Sequence, residues 1–340
     1  MTEPRAVSRA AGMLAGVAVG DALGMPTEFL SPDTIRDWYG EIRGLVEPDR
    51  RHPHHDLPLG SVTDDTDQTW IIAELILEVG RLRPAALANR LLEWSHTDRV
   101  SRNRFVGPST QKALEAISSG VAPDQAGKDG ITVGAAMRVA PLAICFRQRE
   151  DLIEQVVASC RPTHNTQVAI SGAMAMAFAL LESLRDEATT TSIGLAAQQG
   201  AVEGRAHGAW SWTPPIDRRI ARALSLVEGT NRGEALAAIY ELIGVGYYPW
   251  ELVPAALGLV HWARGDPGEA MLAAANLGGD TDTLASLAGA LCGGLQGVEV
   301  FDQRLLIKIE QVNRLQVREL ASRLVSAAKI ADEGERQSHD

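Results

Sequence analysis

The chain has 340 residues, of which 45% are hydrophobic, so it is long enough to bury a large core in one or two domains. Its formal net charge of −11 argues against non-specific binding to nucleic acid or to an acidic membrane surface. The three cysteines, Cys145, Cys160 and Cys292, are far apart and odd in number. They form neither a disulfide framework nor a CxxC metal site, which is typical of a reducing cytoplasm.

The first apolar run, "AAGMLAGVAVG", follows Arg5 and Arg9 and therefore has some features of a secretory signal. Glycines interrupt this run, and Asp21 follows it at once. The run is also shorter than the about 20 apolar residues that cross a bilayer. We therefore expect a cytoplasmic protein without an export signal or a membrane span.

Apolar spacing predicts helices along the whole chain, and no long alternating pattern predicts a strand. Glycine, proline, aspartate and histidine mark the connections, as in "RRHPHHDLPLGS" and "SSGVAPDQAGKDG". With no fixed repeat and no long linker, the chain is predicted to form one all-α domain over residues 1–330, followed by a polar tail at 331–340. The predicted helices span residues 6–23, 68–79, 85–95, 109–118, 134–147, 150–160, 166–184, 216–227, 233–243, 251–264, 268–275, 282–295 and 303–329.

Two acidic segments each lead directly into a predicted helix. "SVTDDTDQT" contains Asp64, Asp65 and Asp67, and "NLGGDTDTLASLAGALCGGLQG" contains Asp280 and Asp282. Aspartate and threonine are ordinary N-cap residues, and negative charge is favourable at a helix N-terminus. A single carboxylate is enough for a cap, whereas several adjacent carboxylates repel one another and need a cation. Oxygen ligands without histidine or cysteine favour hard ions such as Mg²⁺, Mn²⁺ or Ca²⁺, so the pattern favours a metal site over capping alone.

The second acidic segment also carries many small residues. A Gly-Gly pair precedes Asp280, and Gly289 and Gly293 belong to a small-residue face on the helix that follows. Glycine permits tight turns, and a helix with small side chains can lie close to its neighbours. We therefore expect this helix in the middle of a bundle, with its acidic N-terminus at a shared central cleft.

These two segments, together with "GMLAGVAVGDALGMPTEF", "GAAMRVAPLA" and "THNTQVAISGAMAMAFAL", resemble the ADP-ribosylglycohydrolase family. The family includes dinitrogenase reductase-activating glycohydrolase and the J1 crystallins of jellyfish. The resemblance runs from about residue 8 to about residue 298, and the two Asp-Thr motifs are its most specific part. It implies a single-domain, all-α orthogonal bundle with two divalent cations, Mg²⁺ or Mn²⁺, in a central cleft. It also implies a hydrolase that cleaves N- or O-glycosidic bonds to C1 of a ribose.

The resemblance assigns roles to residues of both motifs. Glu28, in "GMPTEF", matches a glutamate that in some members approaches the metals and activates water, although a solvated loop carboxylate is the alternative. Asp65 or Asp282 is the other candidate to accept a proton from the attacking water. Asp67 matches no family ligand and is expected to support or cap the helix start. The implied metal ligands are Thr63, Asp64, Asp65, Asp280, Asp282 and Thr283.

Two departures from the family pattern concern the substrate. Val133 stands where many members have an asparagine in the loop that holds phosphates, although Gly134 is kept. Phe105 occupies the region where arginine-specific members carry an acidic residue, just before the segment that starts at Gly107. Because Phe105 carries no charge, recognition of an arginine guanidinium is not supported, and we expect poor hydrolysis of ADP-ribosyl-arginine.

The resemblance also places His164 in the ligand cleft.

Aromatic residues near these departures are candidates for stacking on a base, with core packing as the alternative. We assign Phe105 and Tyr247 to substrate binding. For Trp210 and Trp212, stacking on a base and packing in the core are equally open. The arginines that can meet a phosphate are Arg102, Arg104 and Arg138, of which Arg138 is better placed to brace the fold.

The sequence thus predicts a metal-dependent hydrolase of an ADP-ribosyl or related ribosyl glycoside. Its substrate is expected to be a small molecule or an ADP-ribosylated protein. A hydrolase of simple nucleosides is a second hypothesis, because of the two departures. A non-catalytic, crystallin-like protein is a third, although such a protein has no need to keep six oxygen ligands.

Overall fold

The computed structural model describes residues 2–103 and 105–337 of the chain. In that part of the chain there are 18 α-helices and no strand beyond an isolated bridge between Thr166 and Ala209, which confirms the predicted all-α class. The helices are α1 (Glu3–Gly24), α2 (Pro32–Tyr39), α3 (Asp64–Val79), α4 (Pro84–Ser95), α5 (Asp98–Asn103), α6 (Pro108–Ser118), α7 (Pro123–Ala126), α8 (Ala140–Cys145), α9 (Arg149–Cys160), α10 (Gln167–Ser183), α11 (Thr190–Gly204), α12 (Ile216–Val227), α13 (Arg232–Ala238), α14 (Pro249–Trp262), α15 (Pro267–Ala275), α16 (Thr281–Gln296), α17 (Gln303–Asn313) and α18 (Val317–Gln337).

Helices α1 and α16 run antiparallel at the centre and form the most extensive helix pair of the fold. Their backbones approach so closely that a Cβ on Gly16 would lie 2.0 Å from the carbonyl oxygen of Gly289. A Cβ on Gly20 would lie 2.2 Å from the carbonyl oxygen of Ala285. Only glycine permits this spacing. The pairing places the N-terminus of α16 beside the C-terminal end of α1, where the first acidic segment also arrives.

The other helices cover this pair and share one hydrophobic core. Helix α10 packs on α11, α12 on α14, and α15 on α16, while α18 packs on α1. Residues Thr281 to Gly294 of α16 are all buried, as expected for a helix in the middle of a bundle.

The prediction missed one long helix, α11. Its sequence contains three glycines and a threonine-rich start, which are weak helix formers in isolation. Packing decides the outcome, because a Cβ on Gly200 would lie 2.4 Å from the carbonyl oxygen of Met174 on α10. The short helices α2, α5 and α7 were also not predicted.

Two predicted helices have different bounds in the structure. The helix predicted at 134–147 is a 3₁₀ turn at Val133–Ala135 followed by the short α8, whose first turn contains Pro141 and so needs no N–H there. The helix predicted at 303–329 is two helices, because Arg314 adopts a left-handed backbone with φ of 57° and ends α17. The predicted tail at 331–340 is partly helical, since α18 continues to Gln337, and residues 338–340 lie outside the described part.

Helix α1 is long and apolar enough to cross a membrane by length and composition, with a qualifying segment at Glu3–Thr27. The expectation that this run is too short is therefore wrong, because the helix continues past Asp21 through "ALG". In the fold, 89% of its most apolar window is buried against other helices, as in the core helix of a globular protein.

Candidate active site

A cleft of about 230 Å³ opens where the N-termini of α3 and α16 meet the turn that follows α1. The structure brings most of the predicted site residues to this one place. Those that line the cleft are Glu28, Thr63, Asp64, Phe105, Gly107, Gly134, Tyr247, Asp280, Asp282 and Thr283.

The floor of the cleft is an acidic cluster built from the first turns of α3 and α16. One carboxylate oxygen from each of Asp64, Asp65 and Asp282 lies within 4.8 Å of the others. The Thr63 hydroxyl donates to Asp282 at 3.3 Å, and the Thr283 hydroxyl donates to Asp65 at 3.1 Å. The start of each helix therefore contributes carboxylate groups and one threonine hydroxyl to the same cluster.

The cluster lacks compensation for its charge within the described residues. The Oδ1 atoms of Asp65 and Asp282 are buried and have no hydrogen-bond partner there. Burial, and next the neighbouring carboxylates, raise the pKa of both groups well above the usual range. Burial also raises the pKa of Asp280 to about 7. Oxygen-only donors with two unpartnered atoms fit a hard divalent cation.

Helix capping alone does not explain this arrangement. The N-cap residues of α3 and α16 are Thr63 and Asp280, and neither side chain makes a capping hydrogen bond. The start of α3 is held instead by Asp21 of α1, whose carboxylate accepts from the backbone N–H and hydroxyl groups of Thr63 and Thr66 at 2.6–3.1 Å. Burial raises the pKa of Asp21 to about 6 in spite of these bonds. In the sequence, Asp21 follows an apolar run directly and lies within the segment "GMLAGVAVGDALGMPTEF", but no role was assigned to it.

Glu28 lies at the edge of the cluster and is held by two histidines that the sequence analysis did not single out. His54 Nε2 lies 2.9 Å from Glu28 Oε2, and His52 Nε2 lies 3.0 Å from the Glu28 carbonyl oxygen. Burial, then the carboxylates of Asp282 and Asp64, raise the pKa of Glu28 well above its usual range. The segment "HPHHD" has the composition of a connection, and only its density of histidines signals a further role.

Phe105 forms one wall of the cleft and is 5% exposed. The centroid of its ring is 5.3 Å from that of the His54 ring and 5.1 Å from the Arg99 guanidinium. Arg99 in turn pairs with Asp67 at 2.7 Å, and Trp94 Nε1 donates to the same carboxylate at 2.9 Å. Asp67 thus belongs to the support of this wall and not to the acidic cluster.

His164 lies behind the opposite wall and is not among the described residues that line the cleft. Its ring is fully buried. Nε2 lies 2.9 Å from the Thr132 hydroxyl, and Nδ1 lies 2.7 Å from the Thr163 hydroxyl. The ring thus lies under Thr132 and Gly134, which line the cleft, and its expected contact with a ligand stays a prediction. Arg138 is also fully buried and donates a hydrogen bond to the Gln68 side chain at 2.6 Å. Its guanidinium is therefore not accessible to a phosphate group of a ligand.

The rim of the cleft is aromatic. Tyr247 is 37% exposed, and its ring meets that of Phe29 edge to face at a centroid distance of 6.2 Å. Tyr248 instead stacks on Trp250 at 4.3 Å, so only the first tyrosine of the pair faces the cleft. Phe29 was not predicted; it is 62% exposed and has a left-handed backbone with φ of 56°.

Several other candidates lie outside the cleft lining. Trp210 and Trp212 contact each other and are 65% and 88% exposed. Arg102 pairs with Asp98 at 3.1 Å on the surface, and Arg104 lies outside the described residues.

The sequence matches a known family over nearly its whole length. The family model described as ADP-ribosylglycohydrolase covers residues 2–333. The chain belongs to the ADP-ribosylglycohydrolase family. It is therefore a glycosyl hydrolase, as the sequence predicted.

Individual relatives agree with this assignment. The uncharacterized protein YegU of Escherichia coli strain K12 is 31% identical over 93% of this chain and 96% of its own length. ADP-ribosylarginine hydrolase Tri1 of Pseudomonas putida is 29% identical over 98% of this chain and 82% of its length. A solved structure of an ADP-ribosylglycohydrolase-related protein complex superposes with a TM-score of 0.70 at 29% identity, covering 96% of this chain and 99% of the other.

Proposed function

We propose that this family member is a metal-dependent hydrolase that cleaves an ADP-ribosyl, or a related ribosyl, N- or O-glycosidic bond. One observation carries the metal dependence: buried oxygens of Asp65 and Asp282 point into the cluster without a partner among the described residues. The printed name of the Pseudomonas putida relative supports the ADP-ribosyl part. The substrate is a small ribosyl compound or an ADP-ribosylated protein, and not a nucleic acid or a membrane. Three free, buried cysteines agree with the cytoplasmic location that we propose.

In this proposal the side chains that hold two divalent cations, Mg²⁺ or Mn²⁺, are Thr63, Asp64, Asp65, Asp280, Asp282 and Thr283. Cations held by these side chains would supply Lewis acidity and positive charge for a ribose diol. Cations held by the cluster would offset the carboxylate charges that raise the pKa of Glu28, so that Glu28, which faces the cleft, would be ionised and would accept the proton of the water that attacks C1. Asp65 and Asp282 remain the alternative acceptors.

The lining of the cleft supports a neutral leaving group. Among the described lining residues, the carboxylates are those of Glu28, Asp64, Asp280 and Asp282, all of which the proposal already uses for the metals or for proton transfer. A guanidinium would therefore find no separate carboxylate partner there. Gly107, Gly134 and Tyr247 remain the proposed contacts of the substrate, with Phe105 as a wall beside them.

A second candidate, hydrolysis of simple nucleosides, is favoured by one specific observation. The described residues that line the cleft include no lysine and no arginine to meet a diphosphate. Calorimetric titration with free ADP-ribose and with adenosine, each in the presence of Mg²⁺, separates the two candidates. Equal affinities would favour the nucleoside.

Replacing one carboxylate of the cluster tests the metal dependence. Asp282→Asn removes charge from the cluster and is expected to lower bound metal by at least one ion per chain. It is also expected to lower kcat on every ribosyl glycoside tested by more than about 100-fold, because metal and proton transfer are both affected. Elemental analysis of dialysed protein and steady-state kinetics with Mg²⁺ or Mn²⁺ measure the two effects.

Asp33→Asn is the matched control, since this carboxylate is exposed and lies outside the cleft lining. It should leave metal content and kcat unchanged. Chelation should lower the melting temperature of the wild type more than that of Asp282→Asn, because removal of the cation leaves the carboxylates to repel. Equal metal content in the wild type and Asp282→Asn would contradict the proposal.

A further inference from the structure

The contact between His54 and Glu28 involves two side chains with little access to solvent. The His54 side chain is 8% exposed and that of Glu28 is 16% exposed. His54 Nε2 lies 2.9 Å from Glu28 Oε2, and within the described residues Glu28 Oε1 has no hydrogen bond. One oxygen of the carboxylate is therefore held and the other is left to face the cleft.

The hydrogen bonds around His52 and His54 define which nitrogens carry protons. His52 Nδ1 accepts from the backbone N–H of His54 at 3.2 Å, so its Nε2 carries the hydrogen and donates to the Glu28 carbonyl oxygen. His54 Nδ1 is buried without a partner in the described chain, whereas its Nε2 faces the carboxylate. With Glu28 ionised, as the proposed function requires, a neutral His54 ring keeps its hydrogen on the nitrogen that faces the carboxylate and donates through Nε2. Burial lowers the pKa of His54 to about 4, in agreement with a neutral ring.

The His54 ring is itself fixed by its neighbours. It lies between the ring of His52, at a centroid distance of 5.1 Å, and that of Phe105, at 5.3 Å. Arg99 lies over Phe105 and also donates to the carbonyl oxygen of Val62, next to the acidic cluster. The same wall therefore connects the segment with the histidines to the start of α3.

We propose that His54 is a positioning residue that holds the Glu28 carboxylate toward the acidic cluster by donating its Nε2–H to Oε2. The inference rests on the proposed function, in which Glu28 accepts a proton from water. Without a donor at this place, the cost of burying an unpartnered carboxylate oxygen would favour a Glu28 side chain turned toward solvent. His52 anchors the backbone of Glu28 in the same way that His54 anchors its side chain.

Substitution of His54 tests the role in turnover. With whichever of ADP-ribosyl-arginine, O-linked ADP-ribosyl-serine and adenosine the wild type cleaves fastest, His54→Leu should lower kcat by about 10- to 100-fold. KM should change by less than about threefold, because the substrate contacts are kept. His54→Gln keeps an N–H donor and should recover most of the lost kcat. His55→Leu is the matched control, since His55 is exposed and makes no contact with Glu28, and it should behave as the wild type.

A double-mutant cycle with Glu28→Ala separates positioning from folding. In the Glu28→Ala background, His54→Leu should change kcat by less than about twofold, because the group that it positions is gone. An equal loss in both backgrounds, or a His54→Gln variant as slow as His54→Leu, would overturn the proposal.

Nitrogen-15 NMR of the imidazoles gives a readout that needs no substrate. The expected result is an Nε2–H tautomer for His54 whose Nε2 signal shifts in Glu28→Ala, while the His55 signals stay unchanged. An Nδ1–H tautomer would overturn the contact. If the wild type cleaves no ribosyl substrate, the proposed function fails, and the NMR result still decides the His54 contact. If the wild type cleaves one and His54→Leu is as fast, only the positioning role fails.

Discussion

His164 has its whole ring inside the protein, with a threonine hydroxyl at each nitrogen. Burial, and next the nearby Arg138 charge, hold the pKa of His164 well below the ordinary histidine value of 6.5. The ring is therefore neutral in the folded protein at a pH where it is protonated in the unfolded chain. Because Gly134 packs against this ring, the histidine shapes the cleft from behind.

This burial predicts a pH dependence of stability with a defined sign. Below the ordinary histidine pKa of 6.5 the unfolded state binds a proton that the folded state does not, so the stability that His164 contributes is lost as the pH falls. Between about pH 7.5 and about pH 5.5 the wild type should lose about 1 kcal/mol more than His164→Asn. Urea unfolding with saturating Mg²⁺ measures the difference. His55→Asn controls for the loss of an exposed imidazole. If stability falls with pH equally in the wild type and in His164→Asn, the ring of His164 is not buried in the neutral form.

At the scale of elements, the pair α1 and α16 shows packing overriding helix propensity. Alanine is favoured over glycine inside a helix by about 0.5–1 kcal/mol, so propensity alone predicts that Gly20→Ala stabilises α1. The structure predicts the opposite sign, because the new Cβ would lie 2.2 Å from a backbone carbonyl oxygen of α16. A backbone atom cannot rotate away as a side chain can, so both helices would have to separate.

Gly20→Ala is therefore expected to destabilise the protein by about 3 kcal/mol or more, the upper end for overpacking a core. Gly44→Ala is the matched control, since nothing lies within 4 Å of the added Cβ at that position. Its effect should stay within about 1 kcal/mol. Urea unfolding of the two variants decides the sign. If the Gly20 variant were the more stable of the two, the close approach of α1 and α16 would be wrong. If Gly20→Ala binds as much metal as the wild type, its loss of stability reflects the packing of α1 against α16 and not a damaged metal site.

For the whole molecule, prediction from sequence succeeded where the chemistry is contiguous. The acidic cluster was found because each half lies in a segment of four residues, Thr63 to Thr66 or Asp280 to Thr283, directly before or within a helix start. Asp21 and His54 were missed because their partners lie 42 and 26 positions away, and no local pattern records such pairs. Helix α11 was missed for a related reason: its glycines are weak helix formers alone, and Gly200 and Gly204 are accommodated by close packing against α10.

The same view of the whole cleft leads to the substrate. The Pseudomonas putida relative is named an ADP-ribosylarginine hydrolase, yet this cleft offers a guanidinium no carboxylate beyond Glu28 and the acidic cluster among its described lining residues. Loss of one charge-assisted hydrogen bond costs about 1.5–3 kcal/mol, or about 10- to 100-fold in kcat/KM if the bond is made in the transition state. We therefore expect ADP-ribosyl-arginine to be a poorer substrate than O-linked ADP-ribosyl-serine or a plain nucleoside.

Side-by-side measurement of kcat/KM for these three compounds, with Mg²⁺ and with Mn²⁺, tests the expectation. Phe105→Asp provides a matched gain-of-function arm, because it adds a carboxylate to the wall, and it should raise the relative rate on ADP-ribosyl-arginine only. If the wild type already prefers ADP-ribosyl-arginine, another acid such as Asp98 or Glu251 supplies the contact. Glu251 now accepts a hydrogen bond from the Gly246 N–H at 2.8 Å, and Asp98 lies on the surface, so either would have to move. Equal rates on all three compounds would mean that the enzyme recognises the ribose diol alone.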